Sequence, residues 1–355
     1  MIDPRAKEAA RILVEHSTRV KAGDRVLIDF DLAAKDMALE AYRLCIVKGA
    51  YPMLRPTVPG ASFIFYKNAS EKQLKHFPII AEFEAKNSDV LIPIGAEYNT
   101  RELTSINPEL IAMRKKVTRP ISEYIVDSLR WVIYEYPTSS LAQEADMSLE
   151  EMEDFVFSAT NIDWKKESSR MKKLKELLDR AKLVRIRAPD TDLALEVAGR
   201  NTVIADGRHN MPDGEVFTAP VETNVNGHIQ FTYPAIYGGR GVDGIRLEFR
   251  KGKVTKAAAT KNEEFLKKML AMDKGAGYIG ELGIGTNFNI KRFIKNILFD
   301  EKIGGTIHIA LGNAYKECKG TNKSALHWDM IKDLRKGGEV WFDDTLVQKG
   351  GKFLV

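Results

Sequence analysis

DRVLIDFDLAAKDMALEAYRLCIVKGAYPML, residues 24–54, is the stretch on which the fold turns. After the Ala22-Gly23 turn, Asp24 to Phe30 predicts a strand, residues 34–48 predict a helix that ends at Gly49, and Tyr51 to Leu54 predicts a return strand. Two strands joined through a helix cannot form a hairpin. They make a crossover unit, which places parallel strands in a sheet covered by helices.

The same alternation extends outward. Residues 5–16 carry Ala9, Ile12 and Leu13 at helical spacing, 70–86 reads as a helix, and Val90 to Ile94 and Leu129 to Tyr136 read as further strands. From Ser148 to Ala181 the chain is charge-rich and helical in pattern, with Met152, Phe155 and Val156 on one side. Residues 1–182 are therefore expected to form an α/β domain with a mostly parallel sheet. From Leu183 the pattern changes to short alternating runs broken by Asp213-Gly214, Asn226-Gly227, Gly238-Gly239-Arg240-Gly241, Lys251-Gly252 and Gly350-Gly351. Such punctuation predicts antiparallel hairpins. Residues 183–355 are expected to be a mixed α+β domain rich in them, with helices at 262–273 and near 289–297.

Composition narrows the function. The 54 basic and 49 acidic residues leave a net charge of +5 spread along the chain, and the run Lys165 to Arg180 reads as the solvated face of a helix; nucleic acid is not an expected partner. No apolar run reaches the length of a membrane span. The N-terminus has no leader-like apolar core, and the two cysteines, Cys45 and Cys318, lack zinc-knuckle or disulfide spacing. A reducing cytoplasm is the expected location.

Chemistry concentrates in the second half. In Gly305 to Gly312, Ile307, Ile309 and Leu311 share one face of a predicted strand, and His308 lies on the other. Ser324 to Met330 repeats the device: Leu326, Trp328 and Met330 face one way, His327 and Asp329 the other. A histidine and a carboxylate two apart on a strand can converge on one ion, or can simply hydrogen-bond to each other. Glu215 lies between a turn and a short strand, and Glu281 among glycines that let the backbone come close; each also fits an exposed turn or a tight bend. The glycine run lacks the Walker lysine and dinucleotide spacing, so a phosphate loop is a poor fit.

Four segments in order, MPDGEVFTAP (211–220), ELGIGTN (281–287), GTIHIALGNAY (305–315) and SALHWDM (324–330), resemble the metal-binding signatures of the aminopeptidase T family of metallopeptidases. The resemblance covers the C-terminal half closely and the N-terminal half in character. It implies a pair of divalent cations, zinc, cobalt or manganese, with Glu215, Glu281, His308, His327 and Asp329 as ligands and Glu281 as the bridge. It also implies a catalytic role for Tyr315, and a homodimer with enclosed active sites that admits short peptides bearing a free N-terminus. The Tyr315–Ser324 segment is shorter than in many family members, which bears on pocket shape. Glu215 stands for either of two roles, ligand or general base, since both need an ionised carboxylate beside a cation. His209, Asp206 and Arg208 share the loop before Glu215 as candidate outer contacts.

The expected function is thus a metal-dependent aminopeptidase. Two other readings compete with it. An amidohydrolase on other small amino amides would use the same ligands, and a non-catalytic α/β ligand-binding protein would leave the His/Glu cluster structural.

Overall fold

The computed structural model describes residues 2–355, which divide into two compact units: residues 2–162 with Gly207–Pro212, and Asp163–Asp206 with Asp213–Val355.

In the first unit the quoted segment forms strand Arg25–Asp31, helix Lys35–Val47 and strand Tyr51–Thr57. The two strands pair in parallel, with Arg25 opposite Tyr51. Val90–Gly95 pairs in parallel on the other side of Arg25–Asp31, followed outward by Ile133–Glu135 and Asn210–Met211. The fold class is therefore as expected: a helix-covered parallel sheet here, and separate antiparallel sheets in the second unit.

Local chemistry explains where elements differ from the pattern. The helix expected over 70–86 is two helices, Glu71–Leu74 and Ile79–Lys86. Pro78 bars the residue before it from helical backbone, while Ser70 and Gln73 cap the first turn reciprocally. The long pattern from Ser148 also breaks in two: Leu149–Thr160 starts on a Ser148–Glu151 capping box, and Trp164–Arg180 starts on Asp163, whose side chain accepts from the Lys166 amide. That second helix buries Met171, Leu174 and Leu178 in the core of the second unit, so the units divide one helix earlier than the change of pattern at residue 182. A helix over Pro108–Ser128 had no sequence expectation, because its exposed flanks leave Ile121 as its one buried residue and so no apolar stripe.

The second unit holds two large antiparallel sheets and a two-stranded one, Ala235–Tyr237 with Arg240–Val242. The five-stranded one runs His327–Asp333, Thr306–Gly312, Ile279–Gly285, Glu215–Thr218, Thr202–Ala205, and the other large one has eight strands. Leu282, Ile284, Ile307, Ile309, Leu311, Trp328 and Met330 from the first share a core with Val184, Ile186, Leu193, Leu195 and Leu247 from the second. At about 1.5–3 kcal/mol for each large apolar side chain fully buried, this face fixes the register. A one-residue slip of any strand would turn its inward side chains outward. The Gly238-Gly239, Lys251-Gly252 and Gly350-Gly351 pairs are hairpin turns. Asn226-Gly227 is not: it lies inside strand Val225–Gln230, where a Cβ on Gly227 would stand 2.0 Å from the Asp192 carbonyl oxygen. The helix expected near 289–297 is a single turn, Ile297–Asp300, started by the Asn296 side chain accepting from the Leu298 amide. No helix among the described residues is long and apolar enough to cross a membrane.

Candidate metal centre

The apolar alternation that builds the core puts the remaining positions of the same strands on the opposite face. With Leu282 and Ile284 committed to the core, Glu281, Gly283 and Gly285 face the other way. His308 is directly opposite Gly283, Glu215 opposite Gly285, and Asp329 opposite Ala310. A Cβ on Gly283 would stand 1.9 Å from His308 Cε1 and 2.1 Å from Nε2, so the imidazole lies in the space the glycine leaves. Gly280 does the same for the backbone: its missing Cβ would fall 2.3 Å from the Asn313 carbonyl oxygen. The glycines around Glu281 are there for close approach, and the alternative of a mere bend is set aside.

The five side chains anticipated from the sequence come together. His308 Nε2 lies 3.2 Å from Glu215 Oε2 and 3.5 Å from Glu281 Oε1. His327 Nε2 lies 3.5 Å from Glu281 Oε2 and 3.6 Å from Asp329 Oδ2. Each oxygen of Glu281 therefore addresses a different imidazole. Both rings are held from behind, with His308 Nδ1 at 3.0 Å from the Glu301 carbonyl oxygen and His327 Nδ1 at 3.0 Å from that of Asn313. A carbonyl only accepts, so each Nδ1 donates, and each Nε2 is left facing carboxylate oxygens. A neutral Nε2 lone pair against a carboxylate is repulsive without a positive charge between them.

Other features show the same deficit of positive charge. Glu215 is buried and its Oε2 has no hydrogen-bond donor. Burial pushes the Glu215 carboxyl well above the usual range, with Glu301 adding to the effect. Burial likewise pushes Asp329 up to about 6. Burial would lower His308, yet Glu281, Glu215 and Asp329 outweigh it and raise the imidazole to about 10. His327 is raised too, the carboxylates of Asp329 and Glu281 overcoming its burial. Left alone, this cluster holds protons where cations would sit, and its oxygen and imidazole donors suit divalent ions. Three overlapping groups have ligand atoms all within 4.8 Å of one another: Glu215, Glu281 and His308; Glu281, His327 and Asp329; and Glu301, His308 and Asp329. The first two share Glu281.

Glu301 was not anticipated. It follows the single turn Ile297–Asp300 directly, and its neighbour Lys302 is fully buried, with Nζ donating to the Leu298 carbonyl at 3.0 Å and to Glu301 Oε1. The signal in the sequence was three charged residues, Asp300, Glu301 and Lys302, placed between an apolar run and an all-buried strand. Burial alone would raise the Glu301 carboxyl; Lys302 and His308 lower it overall.

Tyr315 stands at the rim of the cluster. Its ring is edge-on to His327 at 5.3 Å between centroids and 5.5 Å from that of Phe217. Tyr315 is 44% exposed, yet loss of water around its hydroxyl and the carboxylates of Glu281 and Asp329 push its phenol upward, so it keeps its proton. The other candidates belong to none of the three groups. His209 packs on Trp131 in the first unit, with ring centroids 4.7 Å apart, and Asp206 accepts from the Ser168 hydroxyl at 2.8 Å. Arg208, like His209, belongs to the first unit and to none of the three groups.

A face of acidic and imidazole side chains on a buried sheet suits divalent cations, and comparison with known proteins specifies the class. The chain belongs to the thermophilic metalloprotease family (M29), which it matches over residues 2–353. It is a metallopeptidase whose named relatives are aminopeptidases. Aminopeptidase 2 of Geobacillus stearothermophilus is 23% identical over 91% of this chain and 90% of its own length. Aminopeptidase AmpS of Bacillus subtilis is 26% identical over 86% and 83%. Among solved structures, wild-type AmpT from Thermus thermophilus superposes with a TM-score of 0.87 at 21% identity, covering 99% of each chain. A 2,5-dihydroxypyridine dioxygenase from Pseudomonas putida KT2440 superposes at 0.64 and 14% identity, covering 99% of this chain and 97% of that one. At these identities the two structures show a shared fold.

Proposed function

We propose that this chain removes N-terminal residues from short peptides, using two divalent cations, zinc, cobalt or manganese, held by Glu215, Glu281, His308, His327 and Asp329. The observation that carries this reading is Glu281, whose two oxygens each stand 3.5 Å from a different imidazole Nε2. Bound there, a cation pair supplies a polarised scissile carbonyl and a water acidified towards neutrality. Everything else falls to the protein. The carbonyls of Glu301 and Asn313 fix the tautomer of each histidine, and Glu215 presents a buried oxygen without a donor. Tyr315, kept protonated, offers its phenol hydrogen to the oxyanion that develops on the carbonyl carbon's oxygen. A free α-amine finds the carboxylates of this face. Family membership supports a homodimer, and the two buried free thiols, Cys45 and Cys318, suit a reducing cytoplasm.

The test is a panel of aminoacyl fluorogenic amides beside their N-acetylated equivalents. The proposal expects hydrolysis of the free-amine series alone, abolished by a chelator and restored by added cation. Equal turnover of the blocked series would make the chain a broader amidohydrolase.

A further inference from the structure

The candidate centre contains more negative charge than the five anticipated side chains supply. Glu301 joins His308 and Asp329 in a group with ligand atoms within 4.8 Å, bringing the carboxylates on this face to four: Glu215, Glu281, Glu301 and Asp329. Like charges gathered in a desolvated site repel, and a carboxylate on a turn can swing away about its side-chain torsions. Glu301 does not, because Lys302 holds it. The ammonium is wholly buried, 0% exposed, and donates to Glu301 Oε1 and, at 3.0 Å, to the Leu298 carbonyl. Through that carbonyl it is anchored to the turn Ile297–Asp300, and Glu301's own carbonyl orients His308. The residue pair thus ties a backbone turn, one imidazole and one carboxylate into a single unit.

We propose that Lys302 is a positioning residue of the metal centre, acting through Glu301 to hold that carboxylate as a further ligand-side group and to offset the crowding of four acids. The inference rests on the metal-centre reading above. It assigns Lys302 a role beyond closing a turn: a lysine needed only to satisfy the Leu298 carbonyl would affect folding and leave the cation's environment alone. A partner that orients a ligand typically changes cation affinity by about 10–100-fold when lost.

The experiment uses the full-length chain loaded with Co²⁺ and challenged with a chromophoric chelator, in wild type, Lys302→Met, Glu301→Gln and the double variant, with the cobalt d–d absorption recorded for each. The expected result is a 10–100-fold loss of Co²⁺ affinity in K302M with altered d–d bands. In the E301Q background the same lysine change should add less than about threefold, since its action is already removed. Affinity within twofold of wild type with unchanged bands overturns the proposal, as does an undiminished loss in the E301Q background. Should K302M fail to fold by circular dichroism, Lys302→Gln keeps a donor for Leu298 and enters the same cycle; if both fail to fold with cation present, the role is structural and the proposal falls. A wild-type chain that takes up no Co²⁺ sinks the metal-centre reading itself, an outcome distinct from the other results.

Discussion

Gly283→Ala is a one-carbon change with a calculable consequence. The added Cβ would meet His308 Cε1 at 1.9 Å and Nε2 at 2.1 Å, where ordinary contact begins near 3.4 Å. The ring or the strands must therefore retreat by about 1.5 Å. The backbone has little room to give, because every residue of Ile279–Gly285 and of Thr306–Gly312 is buried. Metal–nitrogen bonds are about 2.0–2.1 Å long, and a site tolerates roughly 0.5 Å of misplacement. His308 would be displaced by some three times that tolerance. Gly283 does not occupy the left-handed region, so backbone strain does not add to the effect. Overpacking of this kind costs about 1–3 kcal/mol, and misplacement by about 1 Å can lower turnover about 100-fold. The expectation for G283A is a kcat/KM at least about 100-fold below wild type, with fewer bound cations and a melting temperature lower by several degrees. Gly277→Ala is the control: its Cβ would meet nothing nearer than 3.9 Å, and it should behave as wild type. A G283A protein with near-normal rate and full metal content would refute the argument that this glycine makes room for His308.

Tyr315→Phe should lower kcat about 100-fold while retaining both cations, as loss of an oxyanion donor does; a fall in metal content with kcat preserved would make the tyrosine a support for His327 instead. Glu215→Gln separates the two roles open to that residue, since a lost ligand lowers the number of bound cations and a lost base lowers turnover at full occupancy. Cation uptake at neutral pH should release protons, because His308, held up to about 10, carries one in the cation-free cluster, and the upward push on the Glu215 carboxyl acts in the same direction. The sign follows: affinity falls as pH falls and protons compete for the same atoms. A weakly buffered titration with an indicator dye reads this directly, and uptake without proton release would contradict it.

Much of this arrangement was legible from residue spacing. The strict alternation of Ile307, Ile309 and Leu311, and of Leu326, Trp328 and Met330, commits one face of each strand to the core and leaves His308, His327 and Asp329 on the other. Period-two patterning is a strong constraint because a slip by one residue would exchange the apolar face for the polar one. The βαβ segment was legible for a related reason: its strands are bounded by turn residues and its helix buries Met37, Ala38, Ala41 and Cys45 along one side. Glu301 and Lys302 were not legible. They lie on a turn with no periodicity, and their burial depends on satisfying one another, which only three-dimensional contact reveals. Helix Pro108–Ser128 escaped for want of an apolar stripe. Asn226-Gly227 looked like a hairpin turn because that dipeptide suits one, yet here the glycine serves the close approach of the Asp192 backbone.

The measurement closest to the central claim is an anomalous difference map from a crystal of the cation-loaded chain, recorded at the absorption edge of the bound metal. The account predicts two peaks about 3.5–4 Å apart, one beside Glu215 and His308, the other beside His327 and Asp329, with Glu281 touching both. A map with no peak on this face, or with density bound away from Glu281, would contradict it.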